Sequence, residues 1–586
     1  MFVSKPATDQ HKFETGPDAL NLILNIMTEN HHFASQKLVR VPELLSIICT
    51  FLEPSERSKL ASVSRSWFLA AAPVIWREIT GIHHLLALFP DAVIKSTGAN
   101  TIQIRLPPLL DFVRFDIYAP LVRSLNIYGD SKHSYSFSEW GTLNQRQSPL
   151  LPHLALLTMQ GICGSRGYSE QLLWTALLAS PSLREFRVLS APGGKSRPLL
   201  PNVSPVVVSL LLSKLTSQCP DLQALSIFPD PALVGTGNHK EGVFETFLMF
   251  SEPPFHRYLA QAQQLRELAS NEQILQNDVL PIVASLPLLD HLQVFAKSID
   301  INTDDISLPQ NAFPSLRRLS LYLGSLEDVD DLWVIPALQQ LTYLRIELRD
   351  QHSSELGGTD WARDLLSAIA DNSPNLRHLH VDFGLCGRCQ DEPCDVGAPE
   401  LFEQLSKLPL ETVTLDSAWF GPYDAEIYSY IATALPAVVD LRMPAQSGTL
   451  RELVHFAKLP KLQHLLLEFD FSVGLDWNSS PTAPVGFALH TLETEDTCLL
   501  LGDMLDLAKK LLFLWPNLQR VIYPGSKILP ATNLVRSLVK TLNSSITTVR
   551  EATKLKKTII EKYGQAESAL LDALPTANYP PLNSKG

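Results

Sequence analysis

The chain has 586 residues, of which 45% are hydrophobic and 19% charged, and this is enough apolar sequence for a large core or a long repeat array. Its formal net charge of −13 argues against binding to nucleic acid or to an anionic membrane. No apolar run approaches 18 residues, and the first 30 residues lack a signal-peptide pattern, so we expect neither a membrane span nor a leader. Seven cysteines indicate reduced thiols in a cytoplasmic or nuclear protein.

The amino-terminal residues 1–36 form an extension with one predicted short helix, "DALNLILNIM" (Asp18–Met27). The next predicted helix lies in "VPELLSIICTFL" (Val41–Leu52) and begins at Pro42. Its apolar residues cover about 200° of the helix surface, twice the stripe of about 100° on an ordinary surface helix. Such a helix needs two packing partners, and its own domain supplies one of them.

Residues 37–80 are predicted to form a unit of three helices. Ser55 is the expected cap of the second helix and Ser64 that of the third, and Val63 is expected to face inward. The proline-led first helix and the two tryptophans resemble an F-box, and the matching residues are Pro42, Leu44, Leu45, Ile48, Leu52, Leu60, Val63, Arg65, Trp67 and Trp76.

The F-box resemblance implies a function and a set of partners. Substrate receptors use this motif to dock on the Skp adaptor and, through it, on a cullin. The resemblance therefore assigns adaptor binding to Pro42, Leu44, Leu45, Ile48, Leu52, Leu60, Val63, Trp67 and Trp76.

A Leu-x-x-Leu-x-aliphatic phrase, usually preceded by proline, recurs through residues 81–530. "SPNLRHLHVDF" (Ser373–Phe383) is one copy, and the thirteen copies begin at residues 119, 151, 180, 219, 286, 313, 341, 373, 408, 435, 459, 489 and 515. The alternation at the end of each phrase predicts a half-buried strand, and the segments between phrases carry helical spacing. The pattern resembles leucine-rich-repeat proteins. We therefore predict an α/β fold, an F-box followed by a curved solenoid with parallel strands and outer helices.

The residue after the last aliphatic position of each phrase is expected on the concave face. This column is aromatic in its first half and acidic in its second, which suits a protein target with an apolar anchor and a basic segment. The predicted target-binding residues are Phe228, Phe295, Tyr322, Glu347, Asp382, Asp416 and Glu468.

Three cysteines in "CGRCQDEPC" suggest a possible metal site. Cys386 and Cys389 have the spacing of a zinc-binding pair, and Cys394 follows, but there is no second pair of this kind. Zinc binding and a loop with free thiols both remain open, and no cofactor is expected. Residues 531–574 are predicted helical, and residues 575–586 are a predicted disordered tail.

The sequence as a whole favours a non-catalytic substrate receptor of a Skp–cullin–F-box ubiquitin ligase. There is no His-Glu-x-x-His motif, and no Gly-x-Gly-x-x-Gly motif opens a helix. The alternative is a leucine-rich-repeat scaffold that does not recruit a ligase.

Overall fold

The computed structural model describes residues 41–97, 101–128, 134–137, 139–144, 146, 149–160, 168–189, 203–230, 254–296, 308–324, 333, 335–348, 360–384, 394–395, 398–420, 425–470, 486–494, 504–523 and 532–563. They divide into two compact units. The first runs to Phe295 and includes 308–316, and the second comprises Ala296 and the residues from Arg317 onward. The predicted helix Asp18–Met27, the tail 575–586, Cys386 and Cys389 lie outside the described residues.

The described part of the first unit begins with three helices, and the third packs against both of the others. They are α1 (Pro42–Phe51), α2 (Pro54–Ala61) and α3 (Arg65–Ile75). Both α1 and α2 begin with proline, which suits a first helical position because no hydrogen bond is lost there.

The caps of these helices differ in part from the prediction. The N-cap of α2 is Glu53 and not Ser55, and its backbone N–H donates to Glu56 Oε2 at 3.1 Å in a reciprocal capping box. Ser64 caps α3 as predicted, and its Oγ accepts a hydrogen bond from the Trp67 N–H at 3.3 Å. An acidic residue in place of serine explains the first difference, because its carboxylate also favours the positive end of the helix.

Within the described residues, ten strands lie in the first unit, apart from Ala296 at the end of the tenth. They are β1 (Glu78–Thr80), β2 (Val93–Ser96), β3 (Thr101–Arg105), β4 (Ser124–Asn126), β5 (Ser134–Ser136), β6 (Leu156–Gln160), β7 (Glu185–Leu189), β8 (Ala224–Ser226), β9 (Glu267–Asn271) and β10 (His291–Ala296). Strands β1, β4, β6, β7, β8, β9 and β10 pair in that order, all parallel. Strand β3 pairs antiparallel with β2 and parallel with β5.

The second unit repeats the parallel arrangement. Its strands are β11 (Arg318–Leu323), β12 (Tyr343–Leu348), β13 (His378–Asp382), β14 (Cys394–Asp395), β15 (Thr412–Asp416), β16 (Ala418–Trp419), β17 (Asp440–Thr449), β18 (His464–Asp470), β19 (Thr491–Glu493) and β20 (Arg520–Ile522). Strands β11, β12, β13, β15, β17, β18, β19 and β20 pair in that order, all parallel. Strands β14 and β16 form a separate parallel pair.

Helices return the chain between most strands. Those after α3 are α4 (His83–Leu86), α5 (Phe115–Tyr118), α6 (Trp140–Leu143), α7 (Tyr168–Leu178), α8 (Pro205–Gln218), α9 (Phe255–Leu259), α10 (Leu280–Ala284), α11 (Asp360–Asn372), α12 (Ala398–Leu405), α13 (Ala425–Ala434), α14 (Leu450–Phe456), α15 (Met504–Leu514) and α16 (Thr532–Tyr563). Short 3₁₀ helices cover Ala119–Leu121, Glu272–Leu275 and Pro336–Gln340. Within the described residues, no helix combines the length and apolar composition needed to cross a bilayer.

Each of the thirteen repeat phrases contains a strand, as the sequence predicts. In β13, Leu379 and Val381 are buried, whereas His378, His380 and Asp382 alternate with them on the partly exposed face. The thirteen phrases do not include β1 or β9, because neither strand lies in a complete Leu-x-x-Leu-x-aliphatic phrase. The core of each unit is therefore built from the aliphatic residues of the phrases.

The last strand of the described residues, β20, is covered by α16. The Asn543 side chain bonds to the backbone of Val521, accepting from its N–H at 2.7 Å and donating to its carbonyl at 2.8 Å. Leu542 and Ile546 of the same helix are buried. An asparagine amide thus replaces the neighbouring strand that Val521 would otherwise pair with.

Candidate protein-binding surfaces

The three-helix unit has a small core of its own. Leu45 and Cys49 of α1 are fully buried and cluster with Trp67, Ala70 and Ala71 of α3. Burial raises the pKa of the Cys49 thiol, so this thiol is a core group and not a reactive one. One side of α1 is therefore covered by its own domain.

The other side of α1 exposes large apolar side chains. Leu44 is 42% exposed, Ile47 53% and Phe51 73%. The three residues are spaced i, i+3 and i+7, so they lie along one line on the helix. We call these three residues the apolar strip of α1.

The structure corrects several of the predicted adaptor contacts. Leu45, Leu52 and Trp67 are buried in the chain itself and are not available to a partner. Val63 is 65% exposed rather than turned inward, because it follows the end of α2 and no longer keeps the helical spacing.

The remaining predicted contacts are at least partly accessible. Pro42 is exposed, and Ile48 and Leu60 are half-buried at the edge of the core. Trp76 packs against Tyr118 with ring centroids 4.5 Å apart, which joins the three-helix unit to the first repeat. Ile47 and Phe51 are the exposed residues that sequence analysis did not assign, and their spacing from Leu44 is the signal that indicates them.

A second surface lies on the partly exposed face of the sheet in the second unit. Tyr322, Glu347, Asp382 and Asp416 are register partners on four successive parallel strands. All four side chains are half-buried. Because paired residues of neighbouring strands are adjacent, three carboxylates lie side by side next to one aromatic ring. We call these four residues the acidic row.

Basic side chains on the same face lie beside part of the acidic row. Arg345 Nε donates to Glu347 Oε1 at 2.8 Å, and its guanidinium carbon lies 5.7 Å from the centre of the Tyr322 ring. His380 Nε2 is 2.9 Å from Asp416 Oδ2, an ion-pair distance without hydrogen-bond geometry. Two of the three acids thus have a basic neighbour.

Asp382 lies in the middle of the acidic row. Among the described residues, its hydrogen-bond donors are the Ser417 hydroxyl at 2.8 Å and the Gly384 N–H at 3.1 Å, both neutral. Burial raises the pKa of Asp382, and repulsion from Asp416 and Glu347 adds to this effect, while the two hydrogen bonds oppose it. An added cation at this point would relieve the repulsion.

Glu468 lies beyond an irregularity of the sheet. The register of β17 against β18 shifts between Met443 and Ser447, and Glu468 then pairs with Ser447, whose Oγ donates to Glu468 Oε2 at 2.9 Å. Buried Gln446 holds this bulge by accepting the Phe420 N–H at 2.9 Å. Glu468 is thus on the same sheet, but the bulge separates it from the acidic row.

A polar cluster crosses the next three strands. His464 Nδ1 lies 2.8 Å from Asp440 Oδ1, and its Nε2 lies 2.9 Å from Glu493 Oε2. Arg442 Nε donates to Asp440 at 3.1 Å. Burial alone would lower the pKa of His464, but the hydrogen bonds to the two carboxylates outweigh burial and raise it.

The aromatic half of the predicted target face is not on the surface. Phe228 and Phe295 are fully buried, and their ring centroids lie 5.5 Å apart. The expectation that they bind a target is therefore wrong. Phe228 lies two residues beyond the end of β8, and the last three residues of β10 are all buried, so the alternation has ended at both positions.

The zinc hypothesis is not supported by the described part of the chain. Cys394 lies in β14, and no group of three or more metal-ligating residues occurs within the described ranges. Cys386 and Cys389 are outside those ranges.

The parallel strands, their Leu-x-x-Leu-x-aliphatic phrases and the return helices form a repeat array whose pattern resembles that of leucine-rich-repeat proteins. No protein family matches the sequence, and no curated protein matches it. Solved structures similar to this chain include TLR13 in complex with ssRNA13 (TM-score 0.35, 15% identity, 69% of this chain and 46% of that chain). Others are an internalin from Listeria monocytogenes (0.28, 11%, 76% and 94%) and the leucine-rich repeat-containing protein LegL7 from Legionella pneumophila (0.29, 13%, 65% and 98%). With all TM-scores below 0.5, the architecture rests on the register of the chain's own strands.

Proposed function

We propose that this protein is the substrate-recognition subunit of a Skp–cullin–F-box ubiquitin ligase. In this proposal the three-helix unit docks on the Skp adaptor, and the acidic row of the second unit holds the target protein. The ligation chemistry belongs to other subunits of the complex. The observation that carries the proposal is the apolar strip of α1, exposed on a helix whose opposite side already fills its own core.

The apolar strip has the properties of a protein-binding surface. Exposed leucine, isoleucine and phenylalanine side chains aligned on one helix gain about 25 cal/mol for each Å² that a partner covers. The unit is also very small, and a small core gains stability when another protein packs on it. An apolar groove between helices of an adaptor would provide both.

Two neighbouring substitutions test adaptor binding. Phe51→Asp places a charge in the strip, whereas Thr50→Asp places the same charge at an exposed polar position of the same helix turn. We expect Phe51→Asp to reduce co-purification with the Skp adaptor at least tenfold and Thr50→Asp to leave it unchanged, because only the first buries a charge at the interface. Equal adaptor binding by both variants would contradict the assignment.

The support for the target site is the register of the acidic row. Three carboxylates on adjacent strands, with Asp382 repelled by its neighbours, favour a cationic ligand. We therefore propose a target with a Lys- or Arg-containing segment. Without adaptor binding, the same surface would serve a leucine-rich-repeat scaffold.

Asp382→Asn tests the target site. The Asp382→Asn variant and its charge-matched control, Asp364→Asn at an exposed position of α11, are both prepared in the Phe51→Asp chain, so that targets are not consumed by ligation. We expect Asp382→Asn to reduce capture of partner proteins several-fold, with the loss largest at low salt, since a charged contact is screened by ions. Partners retained equally by both chains would exclude the acidic row as the target site.

A further inference from the structure

We propose that the amino-terminal segment Asp18–Met27 covers the apolar strip of α1 in the isolated protein and competes with the adaptor for it. The competition rests on the proposed function, whereas the covering of α1 by this segment does not. The occupant of the strip is thus first a part of the same chain and only then a foreign protein.

The segment and the strip each have an apolar face that is stabilised when it is covered. Seven of the ten residues in "DALNLILNIM" are apolar, and the polar ones are Asp18, Asn21 and Asn25. At helical spacing, Leu20, Ile23, Leu24 and Met27 form one continuous apolar face. A helix of ten residues is marginal in water and forms when its apolar face is covered. The strip of α1 offers such a cover, with Phe51 73% exposed.

The connection between the two is long enough for docking. Thirteen residues, 28–40, separate Met27 from Val41, and they can span about 43 Å when extended. Helix α1 has ten residues and is about 15 Å long. The segment can therefore reach every part of the strip and lie along it in either direction.

The short connection also decides between this occupant and a second copy of the chain. A segment tethered by only thirteen residues has an effective concentration in the millimolar range. A second copy at micromolar concentration would need an affinity about a thousandfold higher to compete. Weak apolar contacts are thus sufficient for the tethered segment to bind. The apparent affinity for the adaptor then equals its intrinsic affinity multiplied by the fraction of molecules in which the strip is uncovered.

The test compares two double substitutions with equal charge change in the full chain. Leu20→Asp with Leu24→Asp places the charges on the predicted apolar face, and Asn21→Asp with Asn25→Asp places them on the polar face. The first readout is hydrogen–deuterium exchange of the α1 backbone amides, which needs no adaptor. We expect exchange to accelerate about tenfold in the Leu20/Leu24 chain and to stay unchanged in the Asn21/Asn25 chain, because covering a helix suppresses its local opening.

The second readout is the affinity for the purified Skp adaptor, which should rise by the same factor in the Leu20/Leu24 chain alone. Equal α1 exchange in both chains and in the unmodified protein overturns the proposal. Protection of α1 that disappears on dilution also overturns it, in favour of a second copy. Faster exchange in a chain that the adaptor does not bind supports the covering by this segment and refutes the proposed function instead.

Discussion

His464 shows how one side chain can tie three strands together. It lies between Asp440 on β17 and Glu493 on β19, at hydrogen-bond distance from both. A neutral imidazole has a single N–H and can donate to only one carboxylate, whereas the imidazolium donates to both. The geometry therefore requires the protonated form, in agreement with the raised pKa.

This arrangement predicts a stability that depends on pH. Because the folded pKa of His464 lies above its unfolded value, the contribution is fully present below about pH 6.5 and is lost as the pH rises through the folded pKa. His464→Gln should lower the unfolding free energy by about 1–2 kcal/mol at pH 5.5, and the difference should shrink by pH 9. Urea unfolding at both pH values measures it.

His378→Gln is the matched control, because His378 lies in the corresponding position of β13 and its ring faces the Tyr343 ring, 6.4 Å away. A His464→Gln effect of the same size at both pH values would show that the ring acts by packing and not by its charge.

Among the elements, α1 illustrates what a sequence pattern can and cannot predict. Its start at Pro42 and its second apolar side, beyond the one that fills the core, followed from the sequence. Which side its own domain covers did not follow, because an apolar surface of about 200° looks alike on both sides. The neighbouring residues Leu44 and Leu45 differ only in the structure, where one is 42% exposed and the other fully buried.

The two leucines give a direct test of this division. Leu45→Ala removes part of a closed core and should destabilise the three-helix unit by about 2–5 kcal/mol. Leu44→Ala should cost about 1 kcal/mol or less, since its side chain is 42% exposed and is covered only by the weak contacts of the proposed amino-terminal segment. Hydrogen–deuterium exchange of the α1 to α3 amides measures both. Equal exchange in the two variants would contradict the packing described here.

The strands show the same limit. Their positions were predictable because Leu-x-x-Leu-x-aliphatic combines a fixed spacing with a proline that ends the preceding helix. The direction of the residue that follows was predictable only where that residue keeps the alternation of buried and half-buried positions. At Glu347, Asp382 and Asp416 it does, and at Phe228 and Phe295 the alternation has ended and the rings fold inward.

At the scale of the whole molecule, a repeat array must protect its last strand. The edge of β20 offers unpaired backbone groups to any other chain unless something occupies them. Helix α16 does this with apolar residues such as Ile546 and with the paired hydrogen bonds of Asn543 to Val521.

Replacing this asparagine should open the edge. Asn543→Ala leaves the N–H and carbonyl of Val521 without their partners and should lower the unfolding free energy by about 1–3 kcal/mol, with more aggregation on heating. Asn543→Gln keeps the same amide groups on a longer side chain, so it should lower the unfolding free energy less than Asn543→Ala does. Light scattering during thermal unfolding measures both, and an Asn543→Ala chain that scatters like the unmodified protein would show that the apolar packing of α16 is sufficient.

The spacing of the acidic row also restricts which ligand can contact all three carboxylates. Neighbouring parallel strands repeat about every 4.8 Å, so the three carboxylates follow one another at that interval. Alternate side chains of an extended peptide recur about every 6.6 Å, so they no longer match the spacing of the carboxylates after one position. Side chains three or four residues apart on a helix recur at about 4.5–6 Å. A basic helix that crosses the strands can thus place one basic side chain beside each of the three carboxylates.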